Sequence, residues 1–550
     1  MSLITFSMPR FTDITHILTL AQSRSRGDFA TAMDRELGYT WDGTLEGKMA
    51  LIDEYFKNKR QASSIKHEEY VEVWESGDEN QSPITNYQSP DFIAQMESRL
   101  LPILAEMEYT GVRCDGLKLE KTWESIREEI RKYEIEIYDV VGEFFNLNSP
   151  KQIQVILFEK LGIKPLRKNK TGFSVDNEVL EEIAKTYDIA RLILEYRTLA
   201  KLESTYIEGL TKAIDKKSGR IHTTYGQLGA STGRMSSNDP NLQNIPTGKG
   251  YPDQIKSCFI PSEGNVFIVA DYSQIELRVL AFLSQDHGLL DAFEKGEDIH
   301  TRTARFLFPD SVIAKNEAIQ VPGNLDRHAP LAMTNPEWRP NPEQRRIAKT
   351  VNFGVIYGIT GFGLSKTLGC PPYEASQYID AFYARYPRVR AYYDELLADA
   401  RETGYVETYF GRQRKIEWIN DANKMQRSIA EREAMNMPIQ WTAADMIKLA
   451  MIGIDAKIRE KNLRGSMILQ VHDELVFDVA KDEEEIFKTL IREVMEEVLV
   501  HGRQYILPDA VTESKDIHIN SSTWVIPSTM IFPPIRVDIH TGEDWVSAKG

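Results

Sequence analysis

Apolar side chains recur every three or four positions along most of the chain from Asp91 onward, a spacing that gathers them on one face of an α-helix. In the first such segment they are Phe92, Met96, Leu100, Leu101, Leu104 and Met107. The same spacing predicts helices over residues 117–141, 151–161, 177–210, 278–308, 343–357, 373–403 and 422–459. Most of the chain is therefore predicted to be helical.

Three apolar runs have a different character, because they are short and bounded by polar residues. Residues 265–270 form the first run and end immediately before Asp271. Residues 465–471 and 475–479 flank the polar sequence His472-Asp473-Glu474 and predict a β-hairpin. We therefore expect a small number of buried strands among the helices.

Other segments break these patterns. Residues 1–90 have mixed polarity and end in a polar stretch, 75–90, that predicts a linker. Residues 309–342 hold six prolines and residues 508–534 hold four, so both are predicted to be inserted surface loops, with partner docking or DNA clamping as the alternative. Residues 164–170 carry four positive charges and predict a solvated loop, with a phosphate-contacting tip as the alternative.

The composition narrows the class of protein. Of 550 residues, 42% are hydrophobic and 27% are charged, as in globular proteins. No apolar run reaches the roughly 18 residues of a membrane helix, and no secretion signal is recognisable. The widely spaced cysteines Cys114, Cys258 and Cys370 exclude a disulfide framework and predict a reducing cytoplasm. With a net charge of −16, a nucleic-acid partner would need a local basic groove.

Asp271 and Asp473 each follow an apolar strand, where a carboxylate stands at the edge of a sheet. Two carboxylates that converge from neighbouring strands can hold two divalent cations, and that arrangement serves in-line phosphoryl transfer. Either residue taken alone is more often a turn or a helix cap. The pair is therefore a candidate metal site, with capping as the alternative.

Arg345, Lys349, Phe353 and Tyr357 are spaced by four residues and form a slowly winding stripe on one helix. The stripe is about 18 Å long. Cations come first and aromatic rings follow, which is the order of phosphates and base in a nucleoside triphosphate. The alternative is an amphipathic helix whose aromatic side chains belong to the core.

Six blocks of the sequence together resemble the family A DNA polymerases, the bacterial DNA polymerase I type. In chain order they resemble the thumb, a block between thumb and palm, motif A, motif B on the fingers helix, the palm helix that touches the primer–template, and motif C. In the same order, the six blocks are residues 146–152, 231–246, 271–278 (Asp-Tyr-Ser-Gln-Ile-Glu-Leu-Arg), 345–358, 436–445 and 471–474 (Val-His-Asp-Glu). The resemblance runs from about Asp91 to the C-terminus.

The resemblance implies an α+β fold shaped as a right hand, with a helical thumb and fingers and an antiparallel-sheet palm. The implied divisions are a short N-terminal region of unknown role (1–90), the thumb (91–213), the first part of the palm (214–285), the fingers with the insertion 309–342 (286–420), and the second part of the palm with the insertion 508–534 (421–550).

The resemblance also implies roles for single residues. Asp271 and Asp473, with the backbone carbonyl of Tyr272, would ligate two Mg²⁺ ions, with Mn²⁺ able to substitute, while Lys349 would act on the leaving phosphate. The implied nucleotide-binding residues are Arg345, Lys349, Phe353, Tyr357, His300, Gln274 and Glu276, the last as a steric gate against a ribose 2′-hydroxyl. The implied primer–template contacts are Arg234, Asn436, Gln440, His472 and Arg432. Glu474 is expected only to support the metal site.

The implied activity is template-directed extension of a primer 3′-hydroxyl by two-metal phosphoryl transfer. Primer–template DNA and deoxynucleoside triphosphates are the implied partners, with a processivity factor, a helicase or a separate exonuclease as further candidates. Asp34-Arg-Glu36 does not lie on a strand-like run, so 3′–5′ proofreading is expected to be absent, as in a compact phage-like replicase acting in the host cytoplasm. Trp441 departs from the family, which commonly has a small residue there.

Three other classes of protein share part of this pattern. A single-subunit RNA polymerase has related motifs, but Glu276 argues against it. A two-metal nuclease also uses paired carboxylates, yet hydrolysis needs no triphosphate site. A DNA-binding subunit without activity would need neither the two aspartates nor Lys349.

Overall fold

The computed structural model describes residues 90–169, 172–227, 232–308, 338–506, 517–519, 524–526 and 530–549. The predicted linker and the Asp34–Glu36 pair lie outside the described residues, so the expected absence of proofreading stays a prediction. Nearly all of the 309–342 segment and most of the 508–534 segment lie outside them as well.

Helices make up most of the described chain, as predicted. They are α1 (Pro90–Thr110), α2 (Gly116–Val141), α3 (Pro150–Gln154), α4 (Asn177–Ala184), α5 (Asp188–Lys201), α6 (Glu208–Ala213), α7 (Tyr251–Lys256), α8 (Ile275–Ser284), α9 (His287–Glu294), α10 (Ile299–Leu307), α11 (Pro342–Ile356), α12 (Gly361–Leu368), α13 (Pro372–Arg385), α14 (Pro387–Thr403), α15 (Lys424–Glu460) and α16 (Glu484–His501). Single π-helical segments follow α3 (Val155–Lys160) and α5 (Leu202–Ile207). No described helix is both long enough and apolar enough to cross a bilayer.

The strands are fewer and mostly short. They are β1 (Val112–Arg113), β2 (Lys168–Asn169), β3 (Gly172–Phe173), β4 (Arg220–Ile221), β5 (Thr224–Gly226), β6 (Ser236–Asn238), β7 (Asn265–Tyr272), β8 (Tyr405–Glu407), β9 (Gln413–Lys415), β10 (Gly465–Val471), β11 (Glu474–Ala480), β12 (Ile517–Ile519), β13 (Trp524–Ile526) and β14 (Val537–Gly542). An antiparallel sheet of four strands, in the order β10–β11–β7–β14, contains the predicted strand and the predicted hairpin. The α+β fold class is thereby confirmed.

Both faces of this sheet are covered, which explains why its strands are apolar at consecutive positions rather than at alternate ones. Along β7, Ile268 and Ala270 belong to the larger hydrophobic core, which also contains residues of α8, α15 and α16. Phe267 and Val269 belong to a second core, with residues of α2, α5 and the buried Trp545. The end of β7 that carries Asp271 is therefore held from both sides.

A buried ionic cluster joins α1 to α15. Glu97 of α1 accepts a hydrogen bond from Lys448 Nζ at 2.6 Å and another from Arg412. Arg412 also donates to Asp445 at 2.8 Å, and the hydroxyl of Thr408 donates to the same carboxylate at 3.1 Å. Two carboxylates thus face two cations, which is the condition under which such groups can be buried.

Candidate active site

Two carboxylates meet at one end of the central sheet. Asp271, near the end of β7, lies opposite Glu474 of β11 on one side and Asp538 of β14 on the other. Asp473 lies in the two-residue turn between β10 and β11, and its carbonyl accepts a hydrogen bond from the Tyr272 backbone N–H at 3.2 Å. The turn that holds Asp473 is therefore fixed against the end of β7.

The electrostatics of this corner favour a cation. Burial, together with the neighbouring carboxylates of Glu474 and Asp473, raises the pKa of Asp271 to about 6. Burial also raises the pKa of Asp473, against the opposing effect of Arg234. Carboxylate oxygens are the hard ligands that Mg²⁺ prefers, so the residues fit a divalent ion.

Side chains alone do not form a metal-binding cage among the described residues. Among the residues with described positions, no group of three or more His, Cys, Asp or Glu side chains is arranged to hold a metal by itself. Magnesium is commonly bound by one or two carboxylates together with the phosphates of a substrate. The two aspartates therefore suit an ion that is completed by a phosphate ligand.

Glu276, on the first turn of α8, is held by two partners although only 4% of it is exposed. Arg234 Nη2 donates to Oε1 at 2.7 Å, and the Tyr357 hydroxyl donates to Oε2 at 2.7 Å. Arg234 also donates to Asp473 Oδ1 at 3.3 Å, and Gln440 hydrogen-bonds to Tyr357. Burial raises the pKa of Glu276, and the hydrogen bond from Tyr357 and the charge of Arg234 oppose that shift.

The predicted stripe lies on α11, whose start is fixed by a capping box between Asn341 and Gln344. Lys349 Nζ lies 5.9 Å from the centre of the Phe353 ring, and the His300 ring lies 5.7 Å from the same ring. Arg345 pairs with Asp298 at 3.1 Å. The structure therefore brings His300 of α10 to the stripe.

His300 is buried and held by groups that the sequence did not indicate. Asn352 Nδ2 lies 2.8 Å from His300 Nδ1, and the Thr303 hydroxyl donates to Asn352 Oδ1 at 2.8 Å. Burial lowers the pKa of His300; Asp298 opposes this shift and the charges of Arg345 and Lys349 add to it, so that the pKa is about 4. The imidazole is consequently neutral at neutral pH.

The structure gives individual positions for the other predicted residues. Gln274 occupies the N-cap position of α8 with a left-handed φ of 54° and no capping hydrogen bond from its side chain, and His472 has the same φ in the turn beside Asp473, where its side chain is exposed. Gln274 Oε1 and Asn436 Oδ1 are buried acceptors without a hydrogen-bond partner among the described residues. Arg432 donates to Ser428 and would contact any side chain placed at Gly358. Buried polar atoms normally have partners, so the two free acceptors are suited to a ligand.

Three groups near the site were missed by the sequence analysis. Asp538 aligns with Asp271, and only the alternation of the final strand could have indicated that it lies on the same face. Trp545 Nε1 donates to Glu474 at 3.0 Å, and Lys549 Nζ lies 2.6 Å from the same carboxylate. These contacts compensate the charge of Glu474, whereas Asp271 has no such cation at bonding distance among the described residues.

The sequence model described as DNA polymerase family A matches residues 117–318 and 323–518, which together exceed half of the chain. DNA polymerase I of Bacillus subtilis (strain 168) is 42% identical over 467 residues, covering 85% of this chain and 47% of the relative. The thermostable DNA polymerase I of Thermus thermophilus is 40% identical over 457 residues, covering 83% of this chain and 48% of the relative. This chain thus spans slightly less than half the length of either relative.

A solved structure, described as the POL domain of Pol1 from M. smegmatis in complex with DNA primer-template and dNTP, is also similar. Its TM-score is 0.71 at 29% sequence identity, and the match covers 98% of this chain and 82% of that chain. Sequence and fold thus point to the same group of proteins. The chain belongs to the DNA polymerase family A.

Proposed function

We propose that this chain is a DNA-templated DNA polymerase that extends a primer 3′-hydroxyl with deoxynucleoside triphosphates. The observation that carries the proposal is the position of Asp271 and Asp473 at one end of the central sheet, where burial, with the neighbouring carboxylates of Glu474 and Asp473, raises the pKa of Asp271 to about 6. A second face, formed by α11 and His300, offers cations and an aromatic ring to a nucleotide. Membership of the family supports joining these two faces into one site.

The right-hand description gives each part of the fold a task. Residues 91–213 are the thumb, residues 214–285 and 421–550 the palm, and residues 286–420 the fingers. In this description the central sheet is the palm and supports the two aspartates. The helix α11 belongs to the fingers and presents the nucleotide.

Polymerases of this family use divalent metal ions. Asp271, Asp473 and the carbonyl of Tyr272 would hold two Mg²⁺ ions here, which when bound activate the primer hydroxyl and neutralise the leaving pyrophosphate. Mn²⁺ has the same preference for oxygen ligands and would substitute.

The rest of the site binds and orients the nucleotide. Arg345, Lys349 and neutral His300 bind the triphosphate, the first two by charge and the third through a ring N–H. Phe353 stacks on the sugar or base. Glu276, with both oxygens already held, is a rigid carboxylate where a 2′-hydroxyl would have to fit.

The template side is formed by groups that can accept or donate in the minor groove. They are Arg234, Asn436, Gln440, His472 and Arg432, with Tyr357 and Gln274 on the nucleotide side. Minor-groove acceptors are alike for all correct pairs, so such contacts verify shape without reading sequence. Glu276 argues against a ribonucleotide polymerase, and the α11 stripe argues against a nuclease.

Primer extension on a defined template, with deoxynucleotides or ribonucleotides and with or without Mg²⁺, tests this function. Asp271→Ala and Asp473→Ala should each reduce extension by at least about a thousandfold, because the two carboxylates act as one unit. The double variant should be no worse than either single variant. Binding of the primer–template should change little.

Asp482→Ala is the matched control. Asp482 lies beyond the other end of β11, where its exposed pair with Arg464 contributes little stability. Its extension rate should equal that of the unaltered chain. Substantial extension by either Asp271→Ala or Asp473→Ala would refute the assignment of the metal site.

A further inference from the structure

Trp441 lies directly after Gln440 on α15 and packs against the backbone of Gly233. A Cβ atom built on Gly233 would lie 2.7 Å from Cγ, 2.8 Å from Cδ1 and 2.9 Å from Cδ2 of the indole. Gly233 also has a φ of 70°, a conformation that side chains disfavour. Trp441 and Gly233 therefore form a matched pair, in which the large side chain is accommodated by the absence of the other.

The indole is itself held in place. The guanidinium carbons of Arg412 and Arg414 lie 5.9 Å and 5.4 Å from the centre of its ring, within the range of cation–π attraction. Arg412 is fixed by Asp445, and Trp441 also packs against a small hydrophobic core of α14, α15 and the β8–β9 hairpin. The ring is therefore a rigid wall against Gly233.

Two neighbouring residues of α15 thus contact one partner of Glu276 and the residue next to the other partner. Gln440 hydrogen-bonds to Tyr357, which donates to one carboxylate oxygen. Trp441 packs on Gly233, and the next residue, Arg234, donates to the other oxygen. The contacts form a closed ring through α8, α11, α15 and the segment before β6.

We infer that Trp441 is a positioning residue for Arg234 and, through Arg234, sets the Glu276 carboxylate that selects the sugar of the incoming nucleotide. The inference rests on the proposed function. Without the indole, the Gly233 backbone gains space and the Arg234 guanidinium loses its fixed distance to Glu276. A carboxylate held only by Tyr357 rotates more freely and excludes a 2′-hydroxyl less strictly.

The test compares kcat/KM for deoxynucleotides with kcat/KM for ribonucleotides. Trp441→Ala should lower the ratio of the two about tenfold, since a charge-assisted hydrogen bond is misplaced. Trp441→Phe keeps a flat ring against Gly233 and should retain most of the selectivity. Glu276→Ala gives the lower limit of the ratio.

Trp418→Ala is the matched control, because Trp418 is 56% exposed, whereas the three atoms nearest to a Cβ built on Gly233 all belong to Trp441. It should leave the ratio unchanged. An unchanged ratio in Trp441→Ala, or an equal change in Trp418→Ala, would overturn the inference.

A second comparison does not depend on DNA synthesis. Gly233→Ala forces a methyl group into the indole and should lower the thermal unfolding midpoint. In the double variant Gly233→Ala/Trp441→Ala the overlap is gone, so the loss should be smaller than the sum of the two single losses. Additive losses would refute the proposed contact between Trp441 and Gly233. A chain that extends no primer would instead refute the proposed function, and the comparison of unfolding midpoints would still be valid.

Discussion

The hydrogen bonds around His300 determine which of its ring nitrogens carries the proton. Because the Thr303 hydroxyl donates to Asn352 Oδ1, the amide of Asn352 donates through Nδ2 to His300 Nδ1. The ring proton therefore lies on Nε2, which is left as a neutral donor. Arg345 and Lys349 oppose protonation, and the Asp298 carboxylate favours it.

His300 should make folding stability depend on pH with a definite sign. Its pKa is about 4 in the folded chain and 6.5 when unfolded, so only the unfolded chain gains a proton between these values. Its contribution to the free energy of unfolding is therefore complete above pH 6.5 and decreases as the pH falls towards 4. Between pH 7 and pH 5 the decrease should be about 2 kcal/mol.

Urea unfolding of the unaltered chain and of His300→Gln at both pH values measures this contribution as a difference. Glutamine does not titrate, so the variant should lack the decrease while all other titratable groups behave alike in both proteins. Equal pH dependence in the two proteins would show that folding does not lower the pKa of His300.

At the scale of helices and strands, the sequence predicted which regions are helical or extended better than it predicted where each helix or strand begins and ends. The strand before Asp271 and the hairpin around Asp473 were predicted correctly because both faces of the sheet are buried, which leaves a continuous apolar run. The single helices predicted over 177–210 and 373–403 are wrong, as is the one predicted over 278–308, which is divided into α8, α9 and α10. The first breaks at Tyr187, which is extended, and the second at Tyr386, whose successor Pro387 disfavours helical geometry before it.

The contact between α1 and α15 should contribute far more stability than its exposed counterpart. Glu97→Gln removes the charge that faces Lys448 and Arg412, and breaking such a buried pair costs about 3–5 kcal/mol. Glu106→Gln, on the same helix, breaks the exposed pair with Arg459 and should cost at most about 1 kcal/mol. Urea unfolding of both variants provides the measurement, and similar losses would contradict the role of the cluster.

At the scale of the whole molecule, the sequence named the candidate site residues but not how they are connected. Asp271, Asp473, Glu276 and the α11 stripe could be named from motifs. The partners of Glu276 and the Glu97–Lys448 pair, 351 positions apart in sequence, could not. Charged residues on an amphipathic helix look alike whether they face water or a buried partner, and only the packing of α1 on α15 distinguishes them.

The helix α1 also defines how far the chain could be shortened and still fold alone. The family match begins at residue 117, yet Met96 and Leu100 of α1 are completely buried in the larger core. A recombinant fragment starting at residue 117 would expose that core and leave Lys448 and Arg412 without Glu97. We expect it to bind a hydrophobic dye and to aggregate, whereas a fragment starting at residue 90 should remain monodisperse in size-exclusion chromatography. The autonomous unit is thus larger than the region that the family model matches.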